Sequence, residues 1–178
     1  MTTTGDHGDE RSGADGQSLW ISFPGLRVDA LRAAQRWDDA LLRELQLMVR
    51  GDPAGVRADL AELRTDLDRV SAAITHLRPA LEDAMRAAVD AGRPLDDVVL
   101  VVTPEVVHLA EEADAAFLRI DAHCGGVMLL SPAPPEANGF RRWFLGQFHA
   151  QAAGQAPVSW DEWWVQQGES DGVVRSPT

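Results

Sequence analysis

The most restrictive feature of the chain is a run of apolar residues between positions 56 and 81. Val56, Leu60, Leu63, Leu67, Val70, Ile74, Leu77 and Leu81 alternate steps of four and three without a miss. On an α-helix that spacing returns to one narrow stripe, whereas on a strand the same residues would scatter over both faces. The pattern therefore demands a long helix with another long helix lying along it. Asp52 and Pro53 are suited to open it, a capping carboxylate before a proline at the first helical position. Pro79 removes one backbone donor and predicts a kink near Thr75 to Arg78 rather than an end. The stripe resumes through Leu81, Met85 and Val89 and stops at Ala91-Gly92-Arg93-Pro94.

Other segments carry the same period. Ala30, Ala34, Trp37, Leu41, Leu45 and Met48 form the stripe of a helix from Asp29 to about Arg50, with Arg32, Arg36, Asp39 and Arg43 opposite. Thr103-Pro104-Glu105 opens a helix with Val106, Ala110, Ala113, Phe117, Ile120 and Cys124 on one face. Beyond Ser131–Pro135, a further helix aligns Ala137, Phe140, Phe144 and Phe148, widened by Trp143 and Leu145, with Arg141 and Arg142 near its margins. Ser159 and Glu162 form a capping box for a short last helix over Trp160 to Gln167. Residues 18–26, with Leu19, Ile21 and Phe23 alternating against Ser18, Trp20 and Ser22, read as an extended lead-in ended by Pro24-Gly25. VVLVV (98–102) and 127–130 read as extended connectors. The expected fold is all-α: an elongated helical bundle of four main helices, a short C-terminal helix and two short extended connectors.

The 178 residues suit one domain, placed at 18–167. Residues 1–17 contain no Val, Ile, Leu or aromatic side chain and read as a disordered leader, and 168–178 read as a flexible tail. A net charge of −12 and a pI near 4.7 oppose contact with nucleic acid and with anionic lipid. The single Cys124 forms no intramolecular disulfide and suits a reducing interior. No signal-peptide pattern and no apolar run of about 20 residues is present, which predicts a cytoplasmic protein with no membrane span.

Catalytic patterns are missing. His123-Cys124 lacks the further ligands of a zinc set, and Cys124 falls on an apolar stripe where a core thiol is the simpler reading. His76, His108 and His149 are isolated in sequence, Glu111, Glu112 and Asp114 lie off the stripe of their helix, and the pair Asp96-Asp97 reads as solvent-facing. There is no phosphate loop, GxSxG or GxGxxG. No enzymatic activity, cofactor or metal is expected. The conspicuous residues are instead Arg141 and Arg142 beside Trp143, and the cluster Trp160, Trp163 and Trp164. An arginine beside tryptophan stacks on the ring or holds a carboxylate, which in so acidic a chain points to an internal ion pair or an acidic partner. Three tryptophans near one end make either a packed latch or a protein-binding surface.

The order of three segments resembles a helical region that follows the ATPase domain in some actinobacterial anti-sigma regulatory proteins of the histidine-kinase-like ATPase type. They are ALRAAQRWDDALLRELQLM (30–48), AMRAAVDAGRPLDDVVLVVTPEVVHLAEEADAAF (84–117) and HCGGVMLLSPAPPEANGFRRWFLGQFHAQAAGQAPVSW (123–160). The last, with its RRWFLGQF core and Gly-x-x-Pro-x-x-Trp exit, is the most specific. The Asn-bearing helix and glycine-rich lid of the ATPase itself are not found, so kinase activity does not carry over. The resemblance implies a non-enzymatic interaction or regulatory module with a protein partner, such as a sigma-factor regulator. A homodimer through the heptad seam remains open. The rivals are a ligand-sensing helical domain around a small apolar molecule and, more weakly, an enzyme assembled from dispersed His and Asp residues. A cavity with convergent polar groups would favour the rivals, and a closed core with an exposed apolar seam would favour the module.

Overall fold

The computed structural model describes residues 18–51, 58–95, 97–124 and 133–170. In chain order the elements are β1 (Leu19–Pro24), α1 (Val28–Gly51), α2 (Ala58–Asp90), β2 (Asp97–Val102), α3 (Pro104–Cys124), α4 (Pro135–Ala152) and α5 (Trp160–Ser170). The leader 1–17, the helix opening at Asp52-Pro53, Val56, Asp96, the connector 127–130 and residues 171–178 lie outside the described residues, as do the side chains of Leu60, His123 and Cys124.

The stripes become the core. Ala30, Ala34, Trp37, Leu41 and Leu45 are buried from α1, and Ala110, Ala113, Phe117 and Ile120 from α3. On α2 the seam residues Leu63, Leu67, Val70, Leu77 and Leu81 are buried, and Ile74 packs against them partly covered. Helices α1, α2, α3 and α4 pack in cyclic order, each against the one before and the one after, with the closest association between α2 and α3. The seam is thus covered within one chain, and α3 supplies the companion helix that the heptad spacing demanded. Helix α2 runs unbroken through Pro79, whose missing N–H leaves the Thr75 carbonyl without its helical partner. It ends in a Schellman turn: Gly92, at φ +64°, and Arg93 donate to the carbonyls of Val89 and Ala88.

Beside the seam a carboxylate is buried. Asp66 on α2 is 3% exposed, and it accepts from Arg119 of α3 at 2.6 and 3.0 Å and from Arg69 at 3.2 Å. This fork fixes the register of the two helices next to Leu67. Leu67→Ala, which empties a seam position only 7% exposed, is expected to lower the unfolding free energy by about 2–3 kcal/mol. Urea unfolding measures it, and an unchanged midpoint would move Leu67 out of the seam.

The all-α expectation needs correction. The lead-in and the 98–102 connector pair as a two-stranded antiparallel sheet, with Ile21 opposite Leu100 and Phe23 opposite Val98. Leu19, Ile21 and Phe23 do turn inward, and Val98, Leu100 and Val102 join them on the same face. A lone pair of strands is marginal in water and needs a packed face. That face lies on the bundle, β1 against α4 and β2 against α2. The last helix also extends to Ser170, past the Gln167 read from sequence. Its capping box forms as expected: Ser159 Oγ accepts from the Glu162 N–H at 3.3 Å, and Glu162 accepts from the Ser159 N–H at 3.2 Å.

Candidate functional site

Helix α4 is the hub. Phe140, Phe144 and Phe148 are buried; Phe144 stacks on Phe23 of β1 with centroids 4.7 Å apart, and Phe148 meets the same ring tilted, at 5.5 Å. Two glutamines one turn apart extend this attachment. The Gln151 side-chain amide accepts from Ser22 N–H at 2.9 Å and donates to Ser22 C=O at 2.7 Å, pairing with the outer edge of β1 as a neighbouring strand would. Gln151 also donates to Gln147, whose amide holds both the N–H and the C=O of Val158. Trp143 Nε1 donates to the same Val158 carbonyl at 2.9 Å. One face of α4 thereby ties the sheet to the segment that leads into α5.

The three C-terminal tryptophans follow from that anchor. Trp160 is 4% exposed, packed on Phe140 and edge-on to Trp143 at 5.9 and 5.7 Å. Trp163 is partly covered, and Trp164 is 38% exposed with its ring lying over Gly139. A Cβ at position 139 would come within 2.3 Å of that ring, so the glycine is what lets α5 approach α4. Trp160 and Trp143 are interior, and Trp164 alone of the cluster keeps a broad free edge.

The adjacent arginines part company. Arg142 is exposed, whereas Arg141, expected at a margin, is 5% exposed. Consecutive residues stand about 100° apart around a helix, and Arg141 faces the bundle. Its guanidinium lies 5.0 Å from the Trp37 ring of α1 and 4.0 Å from the Phe117 ring of α3. It donates to Asp121 of α3 and to Asn138, and it approaches Asp38 of α1 at 3.6 Å, longer than a hydrogen bond. Arg141 is therefore committed to the interior. The Trp37 indole N–H in this cluster is buried without a partner among the described residues.

Next to the cluster, where the four long helices meet, is a cavity of about 80 Å³. Its walls are mainly apolar, among them Leu31, Leu77, Leu81, Phe144 and Leu145, and its polar lining comes from Gln35, Asp38, Arg78 and Arg141. Arg78 is held at 2.8 Å by Asp39. Asp38, its side chain 15% exposed, has no contact as close. Burial pushes the Asp38 carboxyl up to about 6, against the pull of Arg141 and Arg78. Burial likewise raises Asp121 and Asp114, each opposed by nearby arginines.

The Asp38 shift has a definite sign. Below about pH 4 the carboxyl is protonated in both states; between 4 and 6 the native state keeps a proton that the unfolded chain has released. Stability is therefore lost as pH rises through 6, by about 3 kcal/mol for a rise from 3.8 to about 6. Asp38→Asn is expected to remove that slope and to unfold at higher urea than wild type at pH 8. Parallel pH profiles for the two proteins would place Asp38 in solvent.

Glu111, exposed on α3, is held below the usual carboxylate range by His149 at 2.9 Å, with His108 nearby. No group of three or more His, Cys, Asp or Glu among the described residues could hold a metal ion. Sequence reasoning found Arg141 but missed Asp38 and Asp121. A signal was there: Leu31, Ala34, Asp38, Leu41 and Leu45 share steps of three and four, so an acid stands on an apolar stripe. No protein-family model, curated protein or solved structure matches the chain.

Proposed function

We propose that the protein is a non-enzymatic ligand-sensing module of bacterial signalling, with a small, largely apolar molecule seated in the cavity between α1, α2, α3 and α4. The observation that carries this reading is an apolar cavity with ionisable groups converging on one wall. An occupant touches all four helices at once, so its binding favours whichever arrangement of them fits it best. The test is a methyl NMR titration with a panel of small apolar compounds, against wild type and Ala73→Leu, which narrows the cavity from α2. Saturable shifts in wild type, lost in the variant, are expected, and a panel without any saturable binder would sink the proposal.

A second reading is a cytoplasmic adaptor whose partner is a protein, such as a sigma-factor regulator. It is supported by the resemblance of segments 30–48, 84–117 and 123–160, and by Trp20, 72% exposed, opposite Val101, 56% exposed, on the outer face of the sheet. The buried α2 seam and the buried Trp160 offer such a partner little. No described helix is long and apolar enough to cross a membrane, and the charge of −12 disfavours nucleic acid. Binding of a purified sigma-factor regulator that is lost in Trp20→Ser is the expected result, and equal binding by both proteins refutes that surface.

A further inference from the structure

We infer that the cavity selects a small cationic ligand, a primary alkylamine whose ammonium group meets Asp38 while its hydrocarbon chain fills the apolar end. This rests on the ligand-sensing reading and adds the chemical class. The two cations at the cavity wall are already engaged, Arg141 by Asp121 and Asn138 and Arg78 by Asp39. Asp38 is the wall carboxylate left with acceptor capacity among the described residues, since its ion-pair partner Arg141 stands 3.6 Å away, longer than a hydrogen bond. A mostly buried carboxylate held only at that distance is costly, and a fitted ammonium supplies a closer donor.

Charge and shape agree with this choice. The walls carry Asp38, Arg78 and Arg141, and with Asp39 and Asp121, the ion-pair partners of the two arginines, three carboxylates face two guanidiniums, a surplus of one negative charge. A carboxylate ligand would add to that surplus and compete with Asp121 for Arg141. A neutral alcohol could donate one hydrogen bond but would leave the charge of Asp38 uncompensated. The space, about 80 Å³, is roughly half that of an engineered cavity of about 150 Å³ that takes benzene. It admits about three heavy atoms, so an alkylamine enters by its amino end. So few atoms limit the affinity to about the micromolar-to-millimolar range.

The test compares n-butylamine, 1-butanol and butyrate by methyl NMR at pH 7.5 and matched ionic strength, on wild type and Asp38→Asn. Saturable shifts of the Leu77, Leu81 and Leu145 methyls with butylamine are expected, at least about ten-fold tighter than with butanol. Asp38→Asn should lose at least about ten-fold in amine affinity while keeping its circular dichroism. Butanol or butyrate binding as tightly as the amine overturns the cationic class and leaves the cavity reading standing; saturation by none of the three overturns both. If Asp38→Asn does not fold, wild type at pH 5 decides. Protonating Asp38 between Arg78, Arg141 and Asp39 should weaken the amine several-fold, and a pH-independent affinity overturns the proposal.

Discussion

Arg141→Ala is expected to lower the unfolding free energy by about 3–5 kcal/mol at pH 8, the range for removing one member of a buried ion pair. The guanidinium is 5% exposed, and nothing else in its place can serve Asp121, Asn138 and Asp38 together. Its loss leaves two carboxylates without their cation and opens a void beside the existing cavity, between the Trp37 and Phe117 rings. Part of the loss is recoverable with acid. Burial already raises the Asp38 and Asp121 carboxyls, and Arg141 is what opposes the rise at both. Without it both move higher, so the native state of the variant binds protons that the unfolded chain has released. The deficit against wild type should therefore shrink on going from pH 8 to pH 5. Urea unfolding at the two pH values checks this. An equal deficit at both would mean that packing, not charge, is what Arg141 contributes.

Trp143→Ala is expected to cost a similar amount, about 4–5 kcal/mol, for a different reason. The indole is fully buried among Phe23, Phe140 and Trp160, with ring centroids at 5.9, 5.6 and 5.7 Å. Deleting it leaves the largest void a single substitution can make, in a place bounded by three elements. The lost hydrogen bond matters less, because Gln147 also donates to the Val158 carbonyl at 3.2 Å. Trp143→Phe, which leaves a smaller void and loses the same hydrogen bond, should cost less, about 1–3 kcal/mol. Limited proteolysis adds a second readout. In Trp143→Ala the segment between α4 and α5 should be cut faster than in wild type, since Val158 loses the indole hydrogen bond and Trp160 loses one of the rings it packs against. Equal cutting would show that α5 docks independently of Trp143.

Local periodicity made much of the architecture legible. The stripes of α1, α2 and α3 were readable because a buried helix face needs apolar residues every three or four positions, and most of those residues are buried or packed against the core, whereas Val89, 59% exposed near the end of α2, faces out and Ala88 is buried in its place. The stop at Gly92 and the capping box at Ser159 were readable because each satisfies backbone groups within a few residues. The sheet was not legible as a sheet. VVLVV has no alternation to show a face, and its partner lies beyond two long helices, so no turn signal links them.

The site divides along the same line. That α4 would bury its phenylalanines, that α2 would run along another helix, and that Arg141 beside Trp143 would pair with carboxylates or rings could all be read from local pattern. Each of these follows from interactions within one element or from residue chemistry. Only the tertiary structure decided which carboxylates and which rings, by bringing Asp38 and Trp37 from α1 and Asp121 and Phe117 from α3 around one guanidinium. It also separated Arg141 from Arg142, covered the seam within a single chain and left a cavity against Asp38. Burial and pairing are properties of the space between elements. They depend on how four helices close around one another, and no window of sequence contains that distance.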